Sequence, residues 1–186
     1  FEEKYTVAHL DKAAQALEAA LKFSGASEAE RYGAIQKMSD GYLAAGEFKK
    51  CIAFTEARLK DTKVLPAHQA DLYITVGRAW AGLQAWEKSL KAYAEAHRVF
   101  NNDRDFCFRQ RILILEARSA EMAKDYNRAV ACWADLLPTY DDVYGKDKAS
   151  FAKWNVRRLQ PLARKSNKLE MDSLSDDSGA DISLDE

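Results

Sequence analysis

Arg78, Arg118 and Arg158 stand at intervals of forty residues, and Arg111 lies seven residues before the second of them. A guanidinium is a planar fork that can grip a carboxylate through two parallel hydrogen bonds, and it is weakly hydrated compared with an ammonium. Such groups repeated along one surface would focus a positive field and speed the capture of an acidic partner. The bland alternative is a solvated helix face that happens to carry arginines. The two readings separate only if the spacing matches a structural period.

The opposite charge is gathered at the other end of the chain. Residues 170–186 hold seven acids and no base, which leaves +6 on residues 1–169 of a chain whose formal net charge is −1. The run 171–186, MDSLSDDSGADISLDE, has no aromatic residue, and its composition predicts disorder in isolation. Ser173, Ser178 and Ser183 each have an acid three residues later (Asp176, Asp181, Glu186), the pattern an acidophilic kinase favours, and each phosphate would add nearly two negative charges. Asp176 and Asp177 supply acid at its centre, while Leu174 and Leu184 interrupt the acidity as candidate anchors. The segment is thus a candidate phosphorylated tail and a candidate ligand for the basic body.

No catalytic constellation stands beside these charges. His9, His68 and His97 are isolated in sequence, and no HExxH, GxSxG or GxxxxGK[ST] occurs. The reading is therefore not an enzyme, with no cofactor and no metal. Cys51, Cys107 and Cys132 are odd in number and form no CxxC, which suits a reducing, cytoplasmic setting better than a disulfide framework. No run is long and apolar enough to span a membrane. The basic stretch 153–168, KWNVRRLQPLARKSNK, has one Trp and no interleaved aromatics. It reads as a polar closing helix rather than a nucleic-acid surface.

The elements that would position these groups are helices. The chain has 8 glycines and 3 prolines, and good helix formers dominate. Apolar residues recur at three- and four-residue steps, as in Leu10, Ala13, Ala14, Leu17, Ala20 and Leu21. Three segments align: LAAGEFKKCIAFTEARL (43–59), AGLQAWEKSLKAYAEAH (81–97) and EMAKDYNRAVACWADLL (121–137). Each carries an aromatic (Phe48, Trp86, Tyr126), then a small residue three places on (Cys51, Ser89, Ala129), then an aliphatic one (Ile52, Leu90, Val130). Placing Leu10 in the same frame gives steps of 38, 38 and 40 residues. Small residues let two antiparallel helices approach closely, and each pair leaves a face for the next pair to cover. These aromatics are therefore expected in the core.

This layout resembles the tetratricopeptide-repeat (TPR) superfamily. The fullest match is YITVGRAWAGLQAWEKSLKAYAEA (73–96), with Tyr73, Val76-Gly77, Trp80, Trp86, Ser89, Tyr93 and Ala96 at the family's places. The first repeat departs at Ser39 and Thr55, and the third at Ala117 and Ala120. A period longer than the usual ~34 residues is similar to the longer-repeat class of LGN/Pins, rapsyn and kinesin light chain. The resemblance implies an all-α, right-handed TPR-like α-solenoid of antiparallel helix pairs. It comprises a partial repeat at 1–27, repeats at about 28–65, 66–104 and 105–144, and a closing helix at 148–167, with an acidic tail at 168–186.

The resemblance also implies a peptide groove lined by the second, fifth, ninth and twelfth places of each first helix. These are Gly33, Gln36, Asp40 and Leu43, then Asp71, Ile74, Arg78 and Ala81, then Arg111, Ile114, Arg118 and Glu121, and finally Phe151, Trp154, Arg158 and Pro161. The chaperone-adaptor clamp of the same family is disfavoured, because its places read Gln36, Asp40, Thr75, Arg111 and Leu115, with one base. The expected function is a scaffold or adaptor whose basic groove binds an acidic linear peptide through Arg78, Arg111, Arg118, Arg158, Gln36 and Trp154. The ligand could be its own tail, in cis or exchanged between copies in an oligomer. The alternative is a structural subunit that contacts partners through convex or end surfaces, its tail merely solubilising.

Overall fold

The computed structural model describes residues 7–21, 25, 27–60, 65–100, 106–137 and 150–176. Eight α-helices and no strand are present among them: α1 (Val7–Ala20), α2 (Glu28–Ala44), α3 (Phe48–Leu59), α4 (Pro66–Gly82), α5 (Trp86–Val99), α6 (Phe106–Met122), α7 (Tyr126–Asp135) and α8 (Ser150–Asp176). Each helix packs on the next, and the first helices of successive pairs, α2, α4 and α6, also touch. The fold is an all-α, solenoid-like array.

Local sequence sets the helix ends. Ser27 caps α2 and Glu30 reaches back to the Ser27 backbone, a reciprocal capping box. Pro66 opens α4, where its missing N–H costs nothing. Within each pair, one turn recurs three times. The middle residues Gly46, Gln84 and Lys124 have φ of 74°, 57° and 62°. The residue after each donates its N–H five places back, Glu47 to Tyr42, Ala85 to Trp80 and Asp125 to Ala120. This is the Schellman closure of a helix C-terminus. Only the first turn has a glycine at the left-handed position, so the other two carry backbone strain.

The core runs the length of the array. Cys51, Ser89 and Ala129 are fully buried, as the repeat alignment predicts, with Tyr93 and Trp133 nearly so. Gly77 explains the close approach in the second pair: a Cβ there would sit 2.4 Å from the Tyr93 ring. The first repeat's departures compensate each other. Ser39 and Thr55 are both fully buried, and the Thr55 hydroxyl donates to Ser39 Oγ at 2.9 Å.

α8 continues the array beyond α7. Ala152, Asn155, Leu159 and Ala163 are its buried positions among residues 151–168, and it packs on α7. Pro161 lies inside it. Arg157 and Gln160 are exposed. The helix reaches Asp176, past the expected end at 167, so the backbone at Ser173, Leu174 and Asp176 is helical rather than part of a structureless tail. Neither glycine nor proline occurs between Pro161 and Gly179 to stop it sooner. The expectations for Asp177, Ser178, Ser183 and Leu184 lie outside the described residues, as does the linker 138–149.

Candidate functional site

The first helices α2, α4, α6 and α8 share one face, and hydrogen bonds run along it from helix to helix. Between α2 and α4, Tyr32 donates to Asp71 at 2.9 Å and Gln36 donates to Thr75 at 3.3 Å, while within α2 Gln36 also donates to Asp40 at 3.1 Å. His68 Nδ1 lies 2.6 Å from Glu28, and its ring stacks on Tyr32 at 3.7 Å. Between α4 and α6, Arg111 donates to Asp71 at 3.0 Å. Between α6 and α8, Arg158 grips both Glu121 oxygens, at 2.7 and 2.6 Å, and its second nitrogen also donates to Asn155.

This network changes the expected character of the face. A basic stripe is expected, but three of its four arginines meet acids of the same chain. Arg111 faces Asp71, Arg158 faces Glu121, and Arg78 lies 3.7 Å from Asp40. The acids belong to the same inward-facing set and stand 37–40 residues before their arginines. They follow the repeat period, so the sequence carried the signal. Gln36, expected to touch a peptide, bridges α2 and α4 instead. Ile74, expected on the groove, is fully buried against Tyr93 and Ile112. It faces the core because α4 is covered on both sides.

Arg118 differs from the others. It is exposed and forms no ion pair with any described residue. Its place follows from the Asp71–Arg111 bridge. Arg78 lies seven residues after Asp71 and Arg118 seven after Arg111. Seven residues return to nearly the same face. Arg78 and Arg118 therefore stand side by side on α4 and α6, two turns along from a bridge that holds those helices together. Arg78 has Asp40 at 3.7 Å, and no described acid pairs with Arg118.

The α8 end of the face is apolar as well. Trp154 is 57 % exposed, and Phe151 is about half exposed. Their rings stack at 6.5 Å, Phe151 meets Trp133 edge-on at 5.4 Å, and Arg158 lies 5.1 Å above Trp154. An indole held between an aromatic neighbour and a guanidinium is pre-ordered. Met122 and Leu162, forty residues apart in the repeat frame, are exposed nearby in sequence on α6 and α8. Hydrogen bonds from Arg158 hold the Glu121 carboxyl below the usual carboxylate range.

The second helices build a different set of clefts. One, of about 290 Å³, lies between α3, α4 and α5 and includes Val76, Trp80, Lys88 and Ala92. Its counterpart, of about 400 Å³, lies between α5, α6 and α7 and includes Glu116, Arg128 and Cys132. Val76 and Glu116 occupy equivalent places, as do Lys88 and Arg128. Glu116 is buried, with His97 at 3.2 Å and Arg128 at 2.8 Å. Burial pushes its carboxyl up, but the hydrogen bonds from His97 and Arg128 outweigh that and hold it below the usual range. His68 and His97, isolated in sequence, thus both meet carboxylates, at separations of 40 and 19 residues.

Cys132 and Cys51 are buried free thiols in two different core clusters, pushed up to about 12 and about 11 by burial. That leaves them protonated and poor nucleophiles at neutral pH. Among the described residues no group of His, Cys, Asp and Glu could hold a metal ion. No helix among them is long and apolar enough to cross a membrane.

The class this architecture defines is an all-α, solenoid-like array of helix pairs. A solved structure shares it: the crystal structure of BtubC (BKLC) from P. vanneervenii superposes with a TM-score of 0.60 at 11 % identity, over 88 % of this chain and 72 % of that one. At that identity the likeness is one of fold. No protein-family model matches the chain, and no curated protein matches it either.

Proposed function

We propose that the chain is a TPR-type interaction scaffold, not an enzyme, and that its first-helix face binds an acidic linear peptide. The observation that carries this reading is the pairing of Arg78 and Arg118 on neighbouring helices, with Arg118 lacking an acid among the described residues. Arg78 has one carboxylate, Asp40 at 3.7 Å, and Arg118 has no described acid, so the two guanidiniums have room for another anion. The resemblance to TPR proteins, in which the first helices line a peptide groove, supports the same face.

The network sharpens the ligand. Arg111 and Arg158 are occupied by Asp71 and Glu121, so they hold the helices and contribute less to recognition. A ligand carboxylate goes to Arg78 and Arg118. An apolar or aromatic ligand side chain lies against Trp154 and Phe151, one turn back from the Glu121–Arg158 bridge. The chain's own acidic segment has both kinds of residue and is one candidate occupant.

The test is fluorescence anisotropy with a labelled peptide bearing three acids and one aromatic residue. The triple variant Arg78→Glu, Arg118→Glu, Arg158→Glu should bind at least tenfold more weakly than wild type at low salt, a loss of about 1.4 kcal/mol. Arg118→Glu alone should account for most of that loss. Unchanged affinity in both would overturn the groove reading and favour a subunit that meets its partners through other surfaces.

A further inference from the structure

The array builds the same cleft twice, and the two copies are lined by different chemistry. Between α3, α4 and α5 the lining includes Leu59, Val76, Lys88 and Ala92. One repeat later, between α5, α6 and α7, the same places read His97, Glu116, Arg128 and Cys132. The first cleft shows how little the packing requires. Its base, Lys88, lies 4.3 Å above the Trp80 ring, and Val76 stands in the place of Glu116. In the second cleft the counterpart of Trp80 is Ala120, and the base turns to buried Glu116 instead. Placing an ion pair where an aliphatic residue serves costs desolvation. Ionised groups kept in a cleft at such a cost point to a ligand.

The remaining hydrogen-bonding capacity decides which ligand. Glu116 is spent: one oxygen accepts from Arg128 at 2.8 Å, and the other faces His97 Nε2 at 3.2 Å. Arg128 is not spent. Of the five N–H groups of a guanidinium, Nε–H goes to Glu116 and one Nη2 hydrogen to the Leu90 carbonyl at 3.4 Å. The other donors stay available on a side chain that is 34 % exposed. Arg109 and Asp135, also on the wall, are already engaged. The rest of the wall is largely apolar, with Leu113 beside Phe100 and Phe108, whose rings pack edge to face at 4.8 Å. The space is about 400 Å³, enough for a molecule of one ring.

We infer that the α5–α6–α7 cleft binds a small organic anion, an aromatic ring carrying one carboxylate. The carboxylate bonds to the remaining N–H groups of Arg128, a charge-assisted contact, and the ring lies against Phe100, Phe108 and Leu113. A singly charged group suits the site, because Glu116 close behind Arg128 would repel a second negative charge. Arg128 thus holds Glu116 through one edge and the ligand through another. The site shares no residue with the Arg78–Arg118 face and does not depend on it.

The experiment titrates the isotopically labelled whole chain with phenylacetate and follows its backbone amide and Arg128 Nε–H signals by magnetic resonance. Signals around the cleft should shift saturably, with a Kd on the order of 1 mM. Phenylacetamide, similar in shape but neutral, should bind about fivefold more weakly or worse. Ala131 is exposed on the cleft wall, so Ala131→Phe should fold normally, fill the space and lower affinity about tenfold. Glu116→Gln together with Arg128→Gln keeps the shapes, removes both charges and should erase the preference for the acid over the amide. Phenylacetate is itself acidic and aromatic, so Arg78→Glu with Arg118→Glu is the control for the peptide face and should leave its binding unchanged. Helical content checks the folding of each variant. No saturable shift in wild type up to about 10 mM, an amide that binds as well as the acid, or full binding by Ala131→Phe would each overturn the site. So would a preference that survives the double Gln variant, or binding lost in the Arg78→Glu, Arg118→Glu control.

Discussion

The α2–α4 joint and the α6–α8 joint use the same face of the array in different ways. At α2–α4 nearly every polar side chain is engaged with another: Tyr32 with Asp71, Gln36 with Thr75 and Asp40, and His68 with Glu28. At α6–α8 one two-pronged bridge, Arg158–Glu121, holds the helices, and one turn back stand exposed Arg118 and Trp154. A hydrogen bond formed inside the chain is not free to form with a ligand. The first joint is fastened, whereas the second is fastened at one point and open beside it. Position on a groove therefore says less about recognition than whether the group already has a partner.

The comparison can be broken most forcefully at its fastened end. Asp71→Ala removes the acceptor of both Tyr32 and Arg111 and should lower unfolding stability by about 2 kcal/mol in urea titration, with little change in peptide affinity. If affinity fell tenfold instead, the two joints would not be separable. At the open end Trp154→Ala should do the opposite. Stability should change by less than ~0.5 kcal/mol, while affinity drops about tenfold in the anisotropy assay, or about 1.4 kcal/mol.

Acid separates two carboxylates five residues apart on α6. Glu116 is buried and Glu121 is half-exposed, and the carboxyl of each is held below its ordinary range. A depressed carboxyl contributes stability above its unfolded value of about 4.3, and that contribution is lost as pH falls through the lower folded value. Glu116→Gln should therefore flatten the acid limb of the stability curve clearly. Glu121→Gln, screened by solvent, should flatten it by less than about 1 kcal/mol. Equal effects would mean that the open joint is as desolvated as the core.

The smallest effect concerns the turns. Lys124→Gly relieves a left-handed non-glycine residue and should raise stability by a few tenths of a kcal/mol to about 1.

Much of the fold was legible because the repeat places similar residues at regular spacing. Cys51, Ser89 and Ala129 marked the close helix crossings, and Gly77 the notch that Tyr93 fills. The facing of Arg78, Arg111, Arg118 and Arg158 came from the same frame. Their pairing did not, because it depends on partners such as Asp71 for Arg111 that are read only by comparing one repeat with the next. His97–Glu116 was harder still. It joins α5 to α6 at a separation outside the period, so no repeat alignment brings the two together. The extent of α8 was missed because an acidic, serine-rich composition argues for disorder, while the absence of glycine and proline before Gly179 lets the backbone continue as helix.

Three pairs of positions sixteen residues apart cross at the centre of the three helix pairs: Ser39 with Thr55, Gly77 with Tyr93, and Ala117 with Trp133. Two combine a small residue with a large ring, and the third joins two hydroxyls. They amount to three dialects for one crossing, each intelligible only to its own partner. Substituting one member alone, Gly77→Ser or Thr55→Tyr, mixes them and should unsettle the pair. Exchanging both members together should be tolerated. The two members of such a couple have to change together, so the crossing is specified by the pair and not by either residue alone.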